Sequence, residues 1–205
     1  MNWYGIIKEE IITNKRKQGE VFDEKAFALE HNVSRTPVRE AVLKLADEGY
    51  LIVMPRRATI VSTISINDIK KIYELRMILE LGIIHQIFAK NIYFDPEEIM
   101  KDYNSESLNR FDAMDIEFHM SLAKLTGNQY IEQTMRDLMD KCQRFMYIQN
   151  ANSVERLRTA INEHYEVMNA IAIRNEALAT KLMRSHLENS MYAYITTREN
   201  LFKLN

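Results

Sequence analysis

Hydrophobic positions along this chain follow two different patterns, and the change falls near Ser62–Ile66. Beyond that point apolar residues return every three to four positions almost to the end, the stripe of an amphipathic helix. The pattern predicts one helix from Asn67, as N-cap, to about Lys90. A short one is opened by Asp95-Pro96-Glu97-Glu98. Further helices follow at about 107–126, 128–149, 154–173 and 176–198, with Gly127 ending the first of these and Ser153 and Asn175 as caps. Connections this short make neighbouring helices antiparallel, so residues 66–205 read as an all-helical bundle.

The first 65 residues are patterned differently. Phe22 to Glu30 reads as a helix with Asp23 as N-cap, and His31-Asn32 as a solvent-facing turn. Ser34 caps a second helix with Pro37 in its first turn, where a missing N–H costs nothing. That helix runs to about Glu48 and stops at Gly49, a residue suited to a C-terminal cap. "YLIVM" then reads as a strand, "PRRA" as a turn and "TIVSTI" as the returning strand. Helix, turn, helix and hairpin is the order of a winged helix-turn-helix. The fold is therefore mostly α, in two domains, 1–65 and 66–205.

Composition agrees. The 205 residues are 46% hydrophobic and 27% charged, enough for one large or two small cores, and five glycines and three prolines favour helix. Apolar runs such as "LGIIHQIFA" are too short to span a bilayer, and "MNWYGIIKEEIITNKRK" lacks signal-peptide architecture. A single cysteine, Cys142, excludes an internal disulfide framework and fits a reducing, cytoplasmic location, with its thiol a small buried apolar group. The net charge is −2, and the first 65 residues carry ten Lys/Arg against nine Asp/Glu. Bulk charge does not mark a nucleic-acid binder, so such a reading rests on where the cations sit.

They sit at the front of one helix. Val38, Ala41, Val42 and Leu45 form its inward stripe, and Arg35, Thr36 and Arg39 lie off that stripe in the first turns. A helix entering the major groove needs this arrangement. Arginine grips guanine O6 and N7 with two hydrogen bonds, and first-turn N–H groups receive a phosphate. Arg56 and Arg57 mark the hairpin tip, within reach of phosphates or the minor groove. Lys25, in the preceding helix, is placed for a backbone phosphate. Taken singly, each arginine is better read as a solvated surface residue pairing with Glu40 or Glu48; the ordered combination of helix, Ser-Arg-Thr-Pro, helix, Gly, strand and Arg-Arg tip is what reverses that reading.

Residues from about Ile6 to Val61, and "VSRTPVREAVLKLADEGYL" above all, resemble the winged-helix domain of the GntR family of bacterial transcription regulators. The resemblance implies DNA contact by Arg35, Thr36 and Arg39, with Lys25 where a basic residue is common. Two stretches depart from the family pattern. The usual Pro-Gly before the second helix reads "QGE", and the usual Arg-Gly of the wing reads Arg57-Ala58. Glycine takes positive φ or lies flat against DNA, and alanine does either poorly.

Of the five histidines, His85 lies in an apolar helix near Ile78, Leu81 and Phe88 and reads as a hydrogen-bonded core residue. Three others form a pattern. Asp115 and His119 are four residues apart on a helix face with Phe111, Phe118 and Leu122. His164 sits among Leu157, Ile161, Met168 and Ile171, and His186 follows Leu178 and Leu182 at helical spacing. Three helices thus direct donors inward. One carboxylate and three imidazoles suit a divalent ion such as Zn²⁺, Ni²⁺ or Mn²⁺. Satisfied core histidines and a plain Asp–His ion pair fit the spacing equally well.

From about Asn67 to Arg198 the chain also resembles the all-helical FCD effector-binding domain of the FadR subgroup, through "YELRMILE", "DIEFHMSLAKLTGN", "EHYEVMNAI" and "SHLENS". The resemblance implies a metal on Asp115, His119, His164 and His186, with open positions for water or a small organic acid. The stretch between Lys90 and Asp115 is shorter than usual, as in the six-helix variety of the domain. Arg76, on a face with Ile72, Leu79 and Ile83, is a candidate for the acid's carboxylate, or else a plain helix pair with Glu80. The implied protein is a homodimeric regulator, by default a repressor, that binds operator DNA and senses a small carboxylate. Two other functions compete with it. In one the metal is purely structural and nothing is sensed. In the other the chain is a metal-dependent hydrolase or oxygenase, which needs a general base at the ion. Glu117 points about 160–200° away from the donors by helix geometry.

Overall fold

The computed structural model describes the backbone of residues 1–100, 111–149 and 154–203. The chain divides into two compact units, Met1–Ser65 and Ile66–Asn205. The predicted helix start at 107–110 and the Ser153 cap lie outside the described residues.

The first unit holds α1 (Trp3–Ile12), α2 (Glu24–Glu30), α3 (Arg35–Asp47), β1 (Leu51–Met54) and β2 (Ala58–Val61). Asn2 caps α1 by accepting from the Gly5 N–H, and Trp3, Ile7 and Ile11 turn its apolar side into the core. Asp23 caps α2 by accepting from the N–H groups of Lys25 and Ala26. Ser34 occupies the N-cap position of α3 with extended backbone, but its hydroxyl makes no capping hydrogen bond. At the other end Gly49 has φ of +80°. Its N–H donates to Ala46 O, and the Tyr50 N–H reaches back to Leu45 O at 2.8 Å, which closes the helix in a left-handed cap. Val38, Ala41, Val42 and Leu45 are all buried, as the periodicity predicts.

β1 and β2 pair antiparallel with Met54 opposite Ala58. Three residues, Pro55, Arg56 and Arg57, make the turn, and the Arg57 N–H donates to Met54 O at 3.1 Å. The left-handed residue is Arg56, at φ +61°, and not position 58. Ala58 belongs to β2, so its missing glycine costs this turn nothing. His31 differs from expectation as well. It is half-buried, with its ring 4.4 Å from Phe27 and 5.2 Å from Trp3, because α2 ends over α1 and the aromatic core continues into the turn.

The second unit holds α4 (Ile66–Ala89), α5 (Pro96–Met100), α6 (Phe111–Leu125), α7 (Gln129–Gln149), α8 (Val154–Ala172) and α9 (Glu176–Lys203). α4 packs on α9, α7 and α6, and α9 packs also on α8. α4 begins at Ile66, so Asn67 lies inside the first turn instead of capping it. Asn175 does cap α9, accepting from the Leu178 N–H at 3.0 Å, and Gly127 ends α6 at φ +63°. The inward stripe of α4 is Ile69, Tyr73, Arg76, Glu80, Ile83, Ile84 and Ile87. That stripe puts His85 on the outer side, where it is exposed and faces Glu176 at 2.9 Å; it is not a core histidine. His186 shares its buried side with Ala179, Met183 and Leu187, while Leu178 is exposed and Leu182 only half-buried.

Arg174, itself at φ +60°, joins the α8–α9 turn to the end of α4. Its guanidinium donates to Phe88 O at 3.3 Å and Ile92 O at 3.1 Å, between the rings of Phe88 and Tyr93.

Arginine in the left-handed region costs about 1–2 kcal/mol, part of which a glycine would recover. Arg56→Gly is expected to raise stability by about 1 kcal/mol, read as an upward shift of the urea midpoint at constant slope.

Candidate nucleic-acid interface and metal centre

Arg35, Thr36 and Arg39 stand exposed at the front of α3, and Arg56 and Arg57 stand exposed at the hairpin tip. With Val21–Glu24, Glu40 and Val53–Thr59 they line one open groove of about 780 Å³. The same side of one unit thus presents the front of α3 and the wing. Lys25 is exposed on α2 outside that groove lining.

Arg35 and Arg39 do have a carboxylate partner, but it is Glu24 and not Glu40 or Glu48. Glu24 opens α2 and its side chain is only 9% exposed. One of its oxygens accepts from Arg39 Nη1 at 2.5 Å and the other lies 3.7 Å from Arg35 Nη2. Glu48 instead accepts from the Tyr4 hydroxyl at 2.7 Å and lies 3.6 Å from Lys8 Nζ. No periodicity links Glu24 to residues 11 and 15 positions away, and only its place beside the Asp23 cap singles it out.

In the second unit the structure brings Asp115, His119, His164 and His186 together, with one donor atom from each within 4.8 Å of all the others. Asp115 and His119 come from α6, His164 from α8 and His186 from α9. The Nε2 atom of His186 lies 3.3 Å from those of both His119 and His164. Asp115 Oδ1 lies 3.5 Å from His164 Nε2 and 3.9 Å from His119 Nε2. The three rings are fully buried, and Phe118 stacks on His164 at 3.9 Å between centroids.

The protons on these rings follow from their partners. Glu80 Oε2 lies 2.6 Å from His119 Nδ1, and Glu163 Oε2 lies 2.7 Å from His186 Nδ1. Burial pushes the Glu80 carboxyl up, but Arg76 and His119 outweigh it and hold it at about 2. The same opposition, with His186 first against burial, holds Glu163 low. Ionised carboxylates only accept, so both imidazoles carry their proton on Nδ1. Arg76 Nη2 confirms this for His119, since it donates to Nε2 at 2.8 Å. Burial pushes the pKa of His186 down, and that of His164 well down, so both rings are neutral at pH 7. The Nε2 atoms of His119 and His186 therefore present lone pairs to one point, beside the Asp115 carboxylate.

That donor set fits a divalent ion. The Nε2 atoms of His119 and His186, 3.3 Å apart, and the Asp115 carboxylate would hold it, a nitrogen and oxygen donor set that borderline divalent ions favour. Carboxylates on the far ring nitrogens are the arrangement that orients metal-binding histidines elsewhere. Cys142 does not join the set. Burial pushes its thiol up to about 11, and its sulfur lies 3.7 Å from Arg76 Nη1.

Arg76 is buried, and its Nε donates to Glu80 Oε1 at 2.8 Å. It thus forms the helix pair with Glu80 and also touches the rim of the donor cluster. Burial works against its charge, but the Glu80 carboxylate outweighs that and holds it protonated. Glu163 is fixed by Arg156, with both terminal nitrogens at 3.0 Å, and by Asn189 at 2.8 Å. Sequence reasoning missed the roles of Glu80 and Glu163 toward the histidines. Glu163 is next to His164 in sequence yet serves His186.

Residues 71–189 match the model of the FCD domain, and residues 2–61 match that of the bacterial regulatory proteins of the gntR family. The chain belongs to the GntR family and carries an FCD domain behind its DNA-binding domain; it is a DNA-binding transcriptional regulator. It is 23% identical over 192 residues to the HTH-type transcriptional repressor RspR of Escherichia coli K12, covering 90% of this chain and 84% of that protein. It is also 23% identical over 198 residues to the gluconate operon transcriptional repressor of Bacillus subtilis 168, covering 89% and 79%. A GntR protein from Rhodococcus sp. RHA1 has the same fold, at a TM-score of 0.75 and 20% identity, with 94% and 95% of the two chains covered. Among the described residues no helix is long and apolar enough to cross a membrane.

Glu80→Gln leaves Arg76 as an unbalanced buried charge. It should destabilise the metal-free protein by about 3–5 kcal/mol at pH 7 in urea unfolding. The Glu80 carboxyl sits at about 2 in the fold against an ordinary 4.5. Its contribution is therefore complete above pH 4.5 and lost as pH falls toward 2, so stability should decline less steeply across that window in E80Q than in the parent.

Proposed function

We propose that residues 66–205 hold a divalent ion, Zn²⁺, Ni²⁺ or Mn²⁺, on Asp115, His119, His164 and His186, and that a small carboxylate bound at that ion modulates operator binding by residues 1–65. The observation that carries this reading is the meeting of two imidazole lone pairs and a carboxylate at one buried point, each imidazole oriented from behind by a glutamate. Without a cation, the two acceptor nitrogens His119 Nε2 and His186 Nε2 face one another at 3.3 Å. His119 would hold the ion through the Nε2 lone pair that Arg76 Nη2 now uses. Arg76 Nη2 would then be free to donate to the carboxylate of a small organic acid. This is the role assigned to Arg76 as effector-binding residue.

On the DNA side, Arg35, Thr36 and Arg39 enter the major groove, Arg56 and Arg57 reach phosphates or the minor groove, and Lys25 takes a backbone phosphate. The protein acts as a homodimer, which meets a near-palindromic operator with two recognition helices about one DNA turn apart. Exposed Leu75 and Ile78 on α4 support a subunit contact through the helical domain. The regulator is a repressor released by its ligand, which requires the effector to bind the two DNA-binding states with different affinity. A hydrolase or oxygenase has little support. Glu117 is exposed, and Glu80 and Glu163 are both engaged by imidazoles.

Arg39→Ala is expected to weaken operator binding by about 1–3 kcal/mol in a fluorescence titration, and unchanged binding would sink its assignment as a base-reading residue. His164→Ala combined with His186→Ala should abolish stoichiometric metal in protein purified without chelator; full retention by elemental analysis contradicts the site. Operator titrations of the metal-loaded protein with a panel of di- and tricarboxylates test the sensing. If none shifts the affinity and metal removal only unfolds the domain, the ion is structural.

A further inference from the structure

Glu24 is a buried carboxylate in the first turn of α2, and it lines the groove that the front of α3 and the hairpin tip share. The α2 N-terminus is already capped by Asp23, and a buried carboxylate is costly unless it is paired. Its two oxygens are divided between the two arginines at the front of α3, 2.5 Å from Arg39 Nη1 and 3.7 Å from Arg35 Nη2. Both guanidiniums stay substantially exposed, 44% for the Arg39 side chain and 64% for Arg35. The carboxylate therefore hydrogen-bonds one edge of the Arg39 fork, stands within ion-pair distance of Arg35, and leaves the rest of both guanidiniums exposed.

We infer that Glu24 is a specificity-determining residue, which aims Arg39 and Arg35 at base edges and suppresses their attraction to phosphates of any sequence. Two physical effects act together. An arginine side chain has much rotamer freedom, and a fixed partner removes part of that freedom before DNA arrives. One negative charge beside two positive ones also halves the net charge at the front of the helix. Sequence-independent binding scales with the phosphates that cations neutralise, so that charge weakens it. Base readout gains from the first effect and loses little from the second, so the ratio of specific to non-specific affinity rises. The inference rests on the assignment of Arg39 and Arg35 as base-reading residues.

The test uses the full chain and two duplexes, one enriched from a random pool by the parent protein and one with the same composition shuffled. Glu24→Gln keeps size and an acceptor but loses the charge; Glu24→Asp keeps the charge but draws it back by one methylene. E24Q is expected to bind the shuffled duplex at least as tightly as the parent, with a salt dependence steeper by about one phosphate contact. Its preference for the selected duplex should fall about tenfold or more. E24D should lose preference without gaining shuffled-duplex affinity. Equal losses on both duplexes, with a lowered unfolding midpoint, would make Glu24 a structural residue only and overturn the inference. So would a preference unchanged within twofold in both variants while R39A still loses operator affinity. If R39A itself binds both duplexes as the parent does, the base-reading assignment falls first and this inference with it.

Discussion

Glu80 is the carboxylate on which the interior of the helical domain depends. It is one of the few charges in a bundle core, and desolvation alone would favour its neutral form. Arg76 occupies one oxygen and His119 the other, at 2.8 and 2.6 Å. Those two contacts keep the carboxylate charged, keep Arg76 charged, and settle which nitrogen of His119 carries the proton. The last point reaches furthest. A proton on Nδ1 leaves Nε2 as a lone pair, and only then can the ring offer an electron pair to the space it shares with His186 and Asp115. Glu163 repeats the device on His186 from the other side of the cluster. Buried pairs are poor sources of net stability, since desolvation consumes much of the attraction. Here they determine the chemistry of the rings instead.

The same device appears in the first unit with less burial. Glu24 also divides its two oxygens between two basic groups, and both belong to residues that face outward. In the bundle the carboxylate orients lone pairs toward an interior point. Beside α3 it orients donors toward a groove open to solvent. The difference follows from the partners: imidazoles present an acceptor when their other nitrogen is held, whereas guanidiniums have only donors to offer.

Much of this was legible in the chain. Helix periodicity located α3 and the bundle helices, because their inward stripes are apolar and the caps Asp23, Asn175 and Gly49 obey local rules. Asp115 and His119 were found through their four-residue spacing, and His164 and His186 through the apolar residues around them. Periodicity gave no way to rank faces on a helix apolar nearly all round. α4 is such a helix, and His85 was placed inward on it when the buried side runs through Arg76 and Glu80. Asn67 is a good cap residue one position past where the helix starts. Glu24 and Glu163 were missed for a different reason. Their partners are 15 and 23 residues away on other helices, and a carboxylate on a polar face carries no local sign that it will be used. Arg56 defied a local rule: arginine stands in the left-handed region because the hairpin register leaves three residues for the turn.

The donors Asp115, His119, His164 and His186 are spread over three helices and 72 positions of chain. No single helix holds enough of them to capture an ion, so such affinity arises only after α6, α8 and α9 have docked. Ion occupancy would then be a gauge of tertiary assembly. A substitution far from the cluster, at the Arg174 clasp between the α8–α9 turn and α4 for instance, would empty the centre by loosening the helices that bear it.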